Sequence, residues 1–224
     1  MSDIEIIVTS DGSNSLLNKS LNETYHSTHG ALQESRHVFI KNGLNYFIEH
    51  SETSHINILE VGFGTGLNAL LTLQQMDATD RFIHYTTIET NPLGEDLWSQ
   101  LNYGSDDFQH RADFIKIHKA PWEIDEPMNS NFVIQKRNTS LQAIELGSSN
   151  YHIIYYDAFA PNKQPSMWTV DMLKKVVDSM SDRGVFVTYC AKGQLKRDLK
   201  SLGLHVETLP GPPGKKEMIR AIKG

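Results

Sequence analysis

Residues 58–68 are ILEVGFGTGLN, and this stretch decides the fold. Its apolar start predicts a buried strand, three glycines at alternate positions predict a turn, and the residues from Asn68 onward open a helix. A strand, a glycine turn and a helix in this order make room for a nucleotide-like ligand at the carboxyl end of the strand. Glycine is needed at 62, 64 and 66 because the backbone turns sharply and because side chains would fill the space of the ligand.

The spacing of these glycines excludes two common nucleotide sites. No Lys-Ser or Lys-Thr pair follows them, which excludes a P-loop, and the Gly-x-Gly-x-x-Gly spacing of a dinucleotide site is absent. Glu60 lies on the strand itself, so the pattern is Glu-x-Gly-x-Gly-x-Gly, which resembles the first motif of S-adenosylmethionine (SAM) methyltransferases. The alternative is a glycine-rich turn that binds no ligand.

A second apolar run, residues 83–88, ends at Glu89, which is 23 residues beyond Gly66. An acid at the tip of the second strand is placed to accept hydrogen bonds from both ribose hydroxyls of a nucleoside. A solvated glutamate at a strand end is the alternative. The distance from the glycine loop favours the nucleoside site.

Length and composition indicate one generous α/β domain, because 224 residues with 39% hydrophobic content can bury a sizeable core. No apolar run reaches membrane-spanning length and the first residues lack the pattern of a signal peptide, so we expect no membrane association and a cytoplasmic location. The single cysteine, Cys190, cannot form an intrachain disulfide, and the ten histidines lack metal-ligand spacing, so no metal site is expected.

The net charge of −6 argues against non-specific nucleic-acid binding by the whole surface, but the charge is unevenly distributed. Residues 1–182 carry 12 basic and 24 acidic residues, whereas residues 183–224 carry nine basic and three acidic ones. The loop PGPPGKK presents Lys215 and Lys216 between rigid turns. This basic edge is a candidate phosphate-contacting surface, and the alternative is a solvated face that keeps the loop soluble.

Strand and helix patterns alternate along most of the chain, which predicts a mostly parallel sheet with helices on both faces. An opening hairpin precedes a helix over 31–47 with a break at Asn42-Gly43. Further helices are predicted over 68–75, 91–101, 141–146, 169–180 and 194–202, with strands over 58–61, 83–88, 151–156, 184–190, 205–209 and 217–222. Residues 114–118 and 132–135 are short apolar stretches without an assignment.

The last two strands are separated by too few residues for a helical crossover, so they should pair antiparallel. A parallel sheet with an antiparallel last strand is the Rossmann-like architecture of class I SAM methyltransferases. We therefore expect an N-terminal extension over residues 1–50, on the substrate side, and a methyltransferase domain over 51–224, joined in a single compact unit.

A second motif, YYDAFAPNKQPSMW over residues 155–168, follows the strong strand pattern YHIIYY. Its position predicts the same sheet edge as the glycine loop, so Asp157 should point towards the reactive end of a bound cofactor. Phe159 provides apolar or stacking surface. Asp157 could instead cap the next helix, but about ten residues of loop are long for a simple connection.

Taken together, ILEVGFGTGLN, YDAFAPNKQPSMW, NETYHSTHGALQESRHVFI, TSDGSNSLLN and PGPPGKKEMIRA resemble the tRNA wobble-uridine aminomethyl methyltransferases, over residues 9 to 222. This family comprises the stand-alone enzyme MnmD and the amino-terminal domain of MnmC. The resemblance implies SAM-dependent conversion of 5-aminomethyl-(2-thio)uridine in tRNA to 5-methylaminomethyl-(2-thio)uridine. It implies a tRNA anticodon stem-loop as partner, no flavin in this chain, and a functional link to a separate oxidoreductase.

The resemblance and the motifs together give a set of expected site residues. Asp157 is the candidate for binding and deprotonating the amine. Asn138 stands where the family often has an acid suited to the adenine amino group. The expected cofactor contacts are Glu60, Gly62, Gly64, Gly66, Asn68, Glu89 and Asn138, and the expected substrate contacts are Tyr25, His26, Glu34, Ser35, Phe159, Lys215 and Lys216.

Two other functions fit part of the pattern. A transferase acting on a small amine, as in polyamine synthases, would suit the acidic body of the chain better than RNA does. A nicotinamide-binding oxidoreductase would share the strand, turn and helix, but Glu60 and the glycine spacing count against it.

Overall fold

The structure, a computed structural model, describes residues 3–76, 79–105 and 108–224, so the first two residues of the expected extension lie outside it. The chain opens with a small three-stranded antiparallel sheet. Strands β1 and β2 form the hairpin predicted from the turn at residues 11–13, and β3 pairs with β2. These strands are β1 (Ile4–Val8), β2 (Asn14–Asn18) and β3 (Glu23–Thr24).

The next helical stretch runs without interruption through α1 (Ala31–Ser35), a π-helical segment (Arg36–Asn45) and α2 (Tyr46–His50). The predicted break at Asn42-Gly43 is therefore wrong. A Cβ atom on Gly43 would lie 3.0 Å from a methyl of Val187 and 3.2 Å from the ring of Tyr155. Glycine is present here because helix and sheet approach each other closely, and not because the helix ends.

The main sheet has eight strands in the order β10-β11-β9-β8-β4-β5-β7-β6. The strands β7, β5, β4, β8 and β9 run parallel, whereas β11 pairs antiparallel with both β9 and β10, as the short connection predicted. Their bounds are β4 (His55–Val61), β5 (Phe82–Ile88), β6 (Asp125–Pro127), β7 (Phe132–Arg137), β8 (Tyr151–Tyr156), β9 (Met180–Thr188), β10 (Leu204–Pro210) and β11 (Glu217–Lys223).

Helices cover both faces of this sheet and bury two apolar layers. The segment from α1 to α2 packs on one face with α3 and α5, and α6 and α7 pack together on the other face. Their bounds are α3 (Leu67–Met76), α4 (Glu95–Trp98), α5 (Phe108–Lys119), α6 (Val170–Ser179) and α7 (Gly193–Ser201). None of the helices in the described residues is long and apolar enough to cross a membrane.

Several local predictions are corrected by the structure. The helix predicted over 91–101 is only α4, because Gly94 is extended and the helix begins after it. Residues 141–146 form a single turn closed on Ser140 and no helix. Residues 114–118 belong to α5, since Phe114 and Ile117 lie one helical turn apart and both are buried. The edge strand β6, antiparallel to β7, had no counterpart in the sequence analysis.

Candidate active site

A cavity of about 830 Å³ opens at the carboxyl ends of β4, β5 and β8. The strand β4 has β5 on one side and β8 on the other, so this edge is the topological switch point of the sheet. The N-terminal extension and the loop between β10 and β11 also contribute to the wall. The sequence patterns at 60–68, 89 and 157 therefore converge on the same edge.

The glycine loop forms one wall of the cavity through Gly62 and Gly64. Both have positive φ angles, and a Cβ on Gly62 would lie 2.8 Å from the carbonyl oxygen of Asp157, while one on Gly64 would lie 3.2 Å from the Tyr25 ring. Any side chain at Gly62 would therefore displace the Asp157 strand end. Gly66 also has a positive φ, but it immediately precedes α3 and does not line the cavity.

Glu89 follows the last residue of β5 and lies on the cavity wall. Its Oε2 accepts a hydrogen bond of 3.1 Å from the Gly64 amide, and its Oε1 accepts one of 2.9 Å from the Asn91 amide. The carboxylate thus fixes the glycine loop from the neighbouring strand. Its carboxylate is also an acceptor group of the kind that binds the hydroxyls of a nucleoside.

Glu60 lies beneath the glycine loop, fully buried, and the structure does not bring it to the cavity wall. Its Oε2 accepts a hydrogen bond of 2.7 Å from the Thr87 hydroxyl. Burial raises the pKa of Glu60 to about 8, with a smaller contribution from the negative charge of Asp157. The side chain is therefore largely a neutral acid at neutral pH, in contrast to the charged cofactor contact that the sequence suggested.

Asn68, in the first turn of α3, is also buried away from the cavity. Its Nδ2 donates a hydrogen bond of 2.9 Å to Oδ2 of Asp157. Asn138 follows β7, and its Nδ2 donates to the backbone carbonyl of Glu89 at 2.9 Å. It stands behind the wall, and the residues after it, 139–142, line the cavity in its place.

Asp157 comes directly after β8, and its amide donates to the carbonyl of Val61 at 3.0 Å. This hydrogen bond holds the two strand ends together and directs the carboxyl group to the cavity wall. Burial raises the pKa of Asp157 to about 7, and the nearby Glu34 carboxylate raises it as well, while the Asn68 amide and the Lys215 ammonium lower it. A carboxyl group with a pKa near neutrality can both accept and release a proton.

The N-terminal extension supplies an aromatic wall. The ring of Tyr25 meets the ring of Phe159 edge to face, with centroids 5.1 Å apart, and both residues line the cavity. Burial raises the pKa of Tyr25 to about 12, so its hydroxyl stays protonated. Two chain segments far apart in sequence thus form an aromatic wall of the cavity that Asp157 also lines.

His26 binds the glycine loop from the side of the extension. Its Nε2 lies 2.6 Å from the Thr65 hydroxyl, and burial lowers the pKa of the imidazole to about 4, so the ring is neutral. Ser35, in contrast, faces the core from α1, is fully buried and does not line the cavity. The expected substrate contact at Ser35 is therefore not brought to the site.

Glu34 and Lys215 form an ion pair of 2.5 Å at the cavity wall. Lys216, the next residue, is exposed and lines an open groove of about 500 Å³ beside the cavity, together with Lys192 and Cys190. Lys215 lines both the cavity and this groove, and its ammonium is paired with Glu34, whereas the Lys216 side chain faces solvent.

Two residues of the wall were missed by the sequence analysis. Lys163 donates to the carbonyls of Leu21 and Asn22 at 2.9 and 3.0 Å, which ties the loop after β8 to the extension. It lies within the motif YYDAFAPNKQPSMW, so a signal was available. Tyr189 follows β9 and donates to the carbonyl of Ala158 at 2.9 Å, but its sequence neighbourhood gives only a strand end.

Comparison with known proteins identifies the family. Residues 110–224 match the family model described as S-adenosyl-L-methionine-dependent methyltransferase. The bifunctional protein MnmC of tRNA 5-methylaminomethyl-2-thiouridine biosynthesis from Pseudomonas syringae pv. tomato is 27% identical over 210 residues, covering 88% of this chain and 32% of the relative. MnmC from Leptospira interrogans serovar copenhageni is 30% identical over 216 residues, covering 91% and 33%.

The fold also matches a solved structure, that of MNMC2 from Aquifex aeolicus, with a TM-score of 0.82 and 24% identity over 99% of this chain and 70% of that chain. This likeness shows the fold alone. The class I fold predicted from the sequence is thereby confirmed, and so is the resemblance to the methyltransferase part of MnmC. The chain spans about a third of the length of the relatives it matches, and neither alternative function is favoured by these matches.

Proposed function

The chain belongs to the S-adenosyl-L-methionine-dependent methyltransferase family, and from that premise we propose that it methylates the 5-aminomethyl group of a (2-thio)uridine at the tRNA wobble position. The product is 5-methylaminomethyl-(2-thio)uridine. The names of the MnmC relatives support this substrate. The observation that carries the proposal is the position of the Asp157 carboxyl in one cavity with the glycine loop and an aromatic wall.

The glycine loop and Glu89 fit the cofactor. Side chains are absent from the cavity wall at Gly62 and Gly64, where a Cβ would contact neighbouring atoms, and Glu89 offers a carboxylate for hydroxyl groups. SAM supplies a methyl group on a positively charged sulfur, and no phosphate needs to be bound. Residues 139–142, which follow Asn138 and line the cavity, would hold the adenine of the cofactor.

Asp157 prepares the amine. A free alkylamine is mostly an ammonium ion at neutral pH and has no lone pair for attack, so the site must remove a proton. Asp157 accepts that proton as a carboxylate, and its pKa of about 7 suits a base that works near neutrality. Asn68 holds Oδ2 of this carboxyl through a hydrogen bond of 2.9 Å, which leaves Oδ1 for the amine.

The aromatic wall suits the uracil ring. Tyr25 and Phe159 offer apolar surface that a base flipped from the anticodon loop can contact. Neutral His26 holds the glycine loop behind this wall, and its lack of charge avoids repulsion between an imidazolium and the substrate ammonium. In this proposal the extension forms the substrate side of the enzyme.

The open groove beside the cavity suits the nucleotides that flank the target base. Exposed Lys192 and Lys216 line it and can pair with backbone phosphates of the anticodon stem-loop. The reaction needs a primary amine, the 5-aminomethyl group, on the uridine. A separate oxidoreductase must first produce this amine from a more highly substituted uridine. That enzyme is the expected functional partner.

The test is a mass spectrum of tRNA nucleosides before and after incubation of the protein with SAM. Transcripts carrying 5-aminomethyl-(2-thio)uridine should gain one methyl group at that nucleoside, and matched unmodified transcripts should gain none. Equal transfer to both RNAs, or transfer to neither while free polyamines are methylated, would overturn the proposal. Calorimetric titration with SAM, in parallel, shows whether the cofactor site is intact.

A further inference from the structure

The ion pair between Glu34 and Lys215 has a setting that a surface salt bridge does not have. The Glu34 side chain is only 6% exposed, and its Oε2 accepts a second hydrogen bond, of 2.7 Å, from the Ser27 amide. The Lys215 ammonium also lies 3.7 Å from the centroid of the Tyr189 ring. A carboxylate and an aromatic face together fix the position of this cation.

This pair lines the same cavity as the candidate base. Glu34, Lys215, Tyr189 and Asp157 all line the same cavity, and the Tyr189 hydroxyl donates to the carbonyl of Ala158, next to Asp157. Glu34 raises the pKa of Asp157 and Lys215 lowers it, after the larger effect of burial. An unpaired Glu34 anion would therefore favour the protonated form of Asp157.

Groups from several packed elements act on Asp157. Glu34 of α1 raises the pKa of Asp157 and Lys215 lowers it. The pKa of Glu60 of β4 is itself raised, mainly by burial and in part by Asp157. Asn68 of α3 donates a hydrogen bond to Asp157, and among the described residues the protonated hydroxyls of Tyr85 and Tyr189 also interact with its charge.

We propose that Lys215 is a positioning residue that neutralises Glu34, so that the carboxylate form of Asp157 is available near neutral pH and can take a proton from the substrate ammonium. The inference rests on the proposed function for its substrate. In that step the N–H bond of the ammonium breaks, the proton passes to an Asp157 oxygen, and the amine keeps the electron pair. Lys215 does not itself touch the reacting atoms.

A purely structural role makes a different prediction. Lys215 also ties the loop between β10 and β11 to α1, and a Cβ at Gly214 would overlap the His29 ring, so this loop packs closely on the extension. Loss of such a tie would lower stability and rate at every pH. Loss of charge compensation would instead move the pH at which Asp157 titrates, and the two effects can be separated.

The experiment measures the titration midpoint of the Asp157 carboxyl carbon by NMR in the unliganded protein, with the signal assigned by its loss in Asp157→Asn. Lys215→Met should raise the midpoint by about 0.5 to 1 pH unit, and Glu34→Gln should lower it by a similar amount. The double variant Glu34→Gln/Lys215→Met should return close to the wild-type value. The matched control is Lys216→Met, which removes a charge from the same loop and should leave the midpoint unchanged.

In the pH profile of kcat/KM for modified tRNA, the midpoint of the acidic limb should shift in the same direction as the NMR midpoint in each of these variants. An unchanged midpoint in Lys215→Met, or an equal shift in Lys216→Met, overturns the inference. If Lys215→Met does not fold, Glu34→Gln tests the inference by itself. An Asp157 midpoint that does not fall in Glu34→Gln also overturns the inference. Wild-type protein that binds SAM but methylates no modified tRNA refutes the proposed function, whereas the NMR midpoints still decide the electrostatic role of Lys215.

Discussion

The two ends of the cavity are built in different ways. At the proposed cofactor end, the Glu89 carboxylate accepts a hydrogen bond from the Gly64 amide, 25 positions away in sequence. At the proposed substrate end, Lys215 pairs with Glu34, 181 positions away. A cofactor site made within one strand-helix-strand unit is visible as a contiguous motif, whereas the substrate site exists only once the extension and the β10-β11 loop meet. From this difference we expect substitutions in the glycine loop and at Glu89 to weaken cofactor binding. Substitutions at residues that join distant parts of the chain should instead change the reaction with the substrate.

The largest effect is expected from Asp157→Asn, which removes the base from the substrate end. The rate of methyl transfer to modified tRNA should fall by about 100-fold or more, because general base catalysis contributes that much. The amide can still accept the hydrogen bond from Asn68, so SAM affinity should change little. Initial rates from nucleoside mass spectra and SAM titration by calorimetry test both statements. A variant with near wild-type rate would remove Asp157 from the chemistry.

Gly62→Ala should break the cofactor end. The new Cβ lies 2.8 Å from the Asp157 carbonyl at a φ of +96°, so the loop must shift, and the dissociation constant for SAM should rise at least about tenfold. Gly12→Ala is the matched control, since Gly12 also has a positive φ of +82° but no atom lies within 4 Å of its Cβ. Unchanged SAM affinity in Gly62→Ala would contradict the prediction, and an equal loss of affinity in both variants would indicate general destabilisation instead of a local change at the glycine loop.

Glu89→Gln and Glu60→Gln distinguish the contributions of two carboxyl groups to SAM affinity. Glu89→Gln should weaken SAM binding by about tenfold, because a hydrogen bond to an ionised acceptor contributes about 1.5–3 kcal/mol. Glu60→Gln should change SAM affinity by less than about threefold, since a neutral buried acid is replaced by a neutral amide. The reverse order in calorimetric titrations would return Glu60 to the cofactor contacts that its motif suggested.

Glu60 also predicts a pH dependence of stability. Its pKa is raised in the folded protein, from 4.5 to about 8, so the stability present below pH 4.5 is progressively lost as the pH rises to about 8. The glutamine in Glu60→Gln does not titrate, so this variant should not lose stability in the same way. The difference in unfolding free energy between variant and wild type should therefore be about 1–4 kcal/mol more favourable to the variant at pH 8 than at pH 5. Denaturant unfolding at both pH values measures it, and an equal difference at both would contradict the raised pKa.

The smallest effect is expected from Lys216→Ala at the groove. The Michaelis constant for tRNA should rise about two- to threefold. The slope of its logarithm against the logarithm of the salt concentration should decrease by about the amount expected for one lost phosphate contact. SAM affinity should not change. Steady-state rates over a salt series measure both quantities, and an unaltered salt slope would place the phosphate contacts elsewhere on the protein.

The fold could be predicted from sequence where hydrophobic patterns are strong and local. The strand 151–156, the glycine turn and the antiparallel pairing of β10 with β11 follow from apolar runs and a short connection. The continuity of the helical stretch at Gly43 could not be predicted. Glycine is required there by a tertiary contact with Val187 and Tyr155, which the sequence does not show. Residues 141–146 have helical spacing, but their apolar side chains are buried by a single turn.

The candidate site shows the same limit. The position of Glu89 and Asp157 at strand ends was visible in sequence, since parallel strands bring their carboxyl ends to one edge. Which way a side chain points was not visible. Glu60 faces inward beneath the loop, Asn138 turns back to the carbonyl of Glu89, and Lys215 pairs with Glu34, because neighbours from other elements offer these polar groups partners.

The place of β11 in the sheet has a consequence for how the protein is made. β11 lies between β9 and β10, so residues 217–223 occupy an interior position of the eight-stranded sheet. On the ribosome, β9 and β10 emerge first, and neither can form its native pairing with β11 until β11 has been synthesised. The ion pair that joins the β10-β11 loop to α1 is formed late for the same reason. Synthesis of nearly the whole described chain therefore precedes the first appearance of a complete active site.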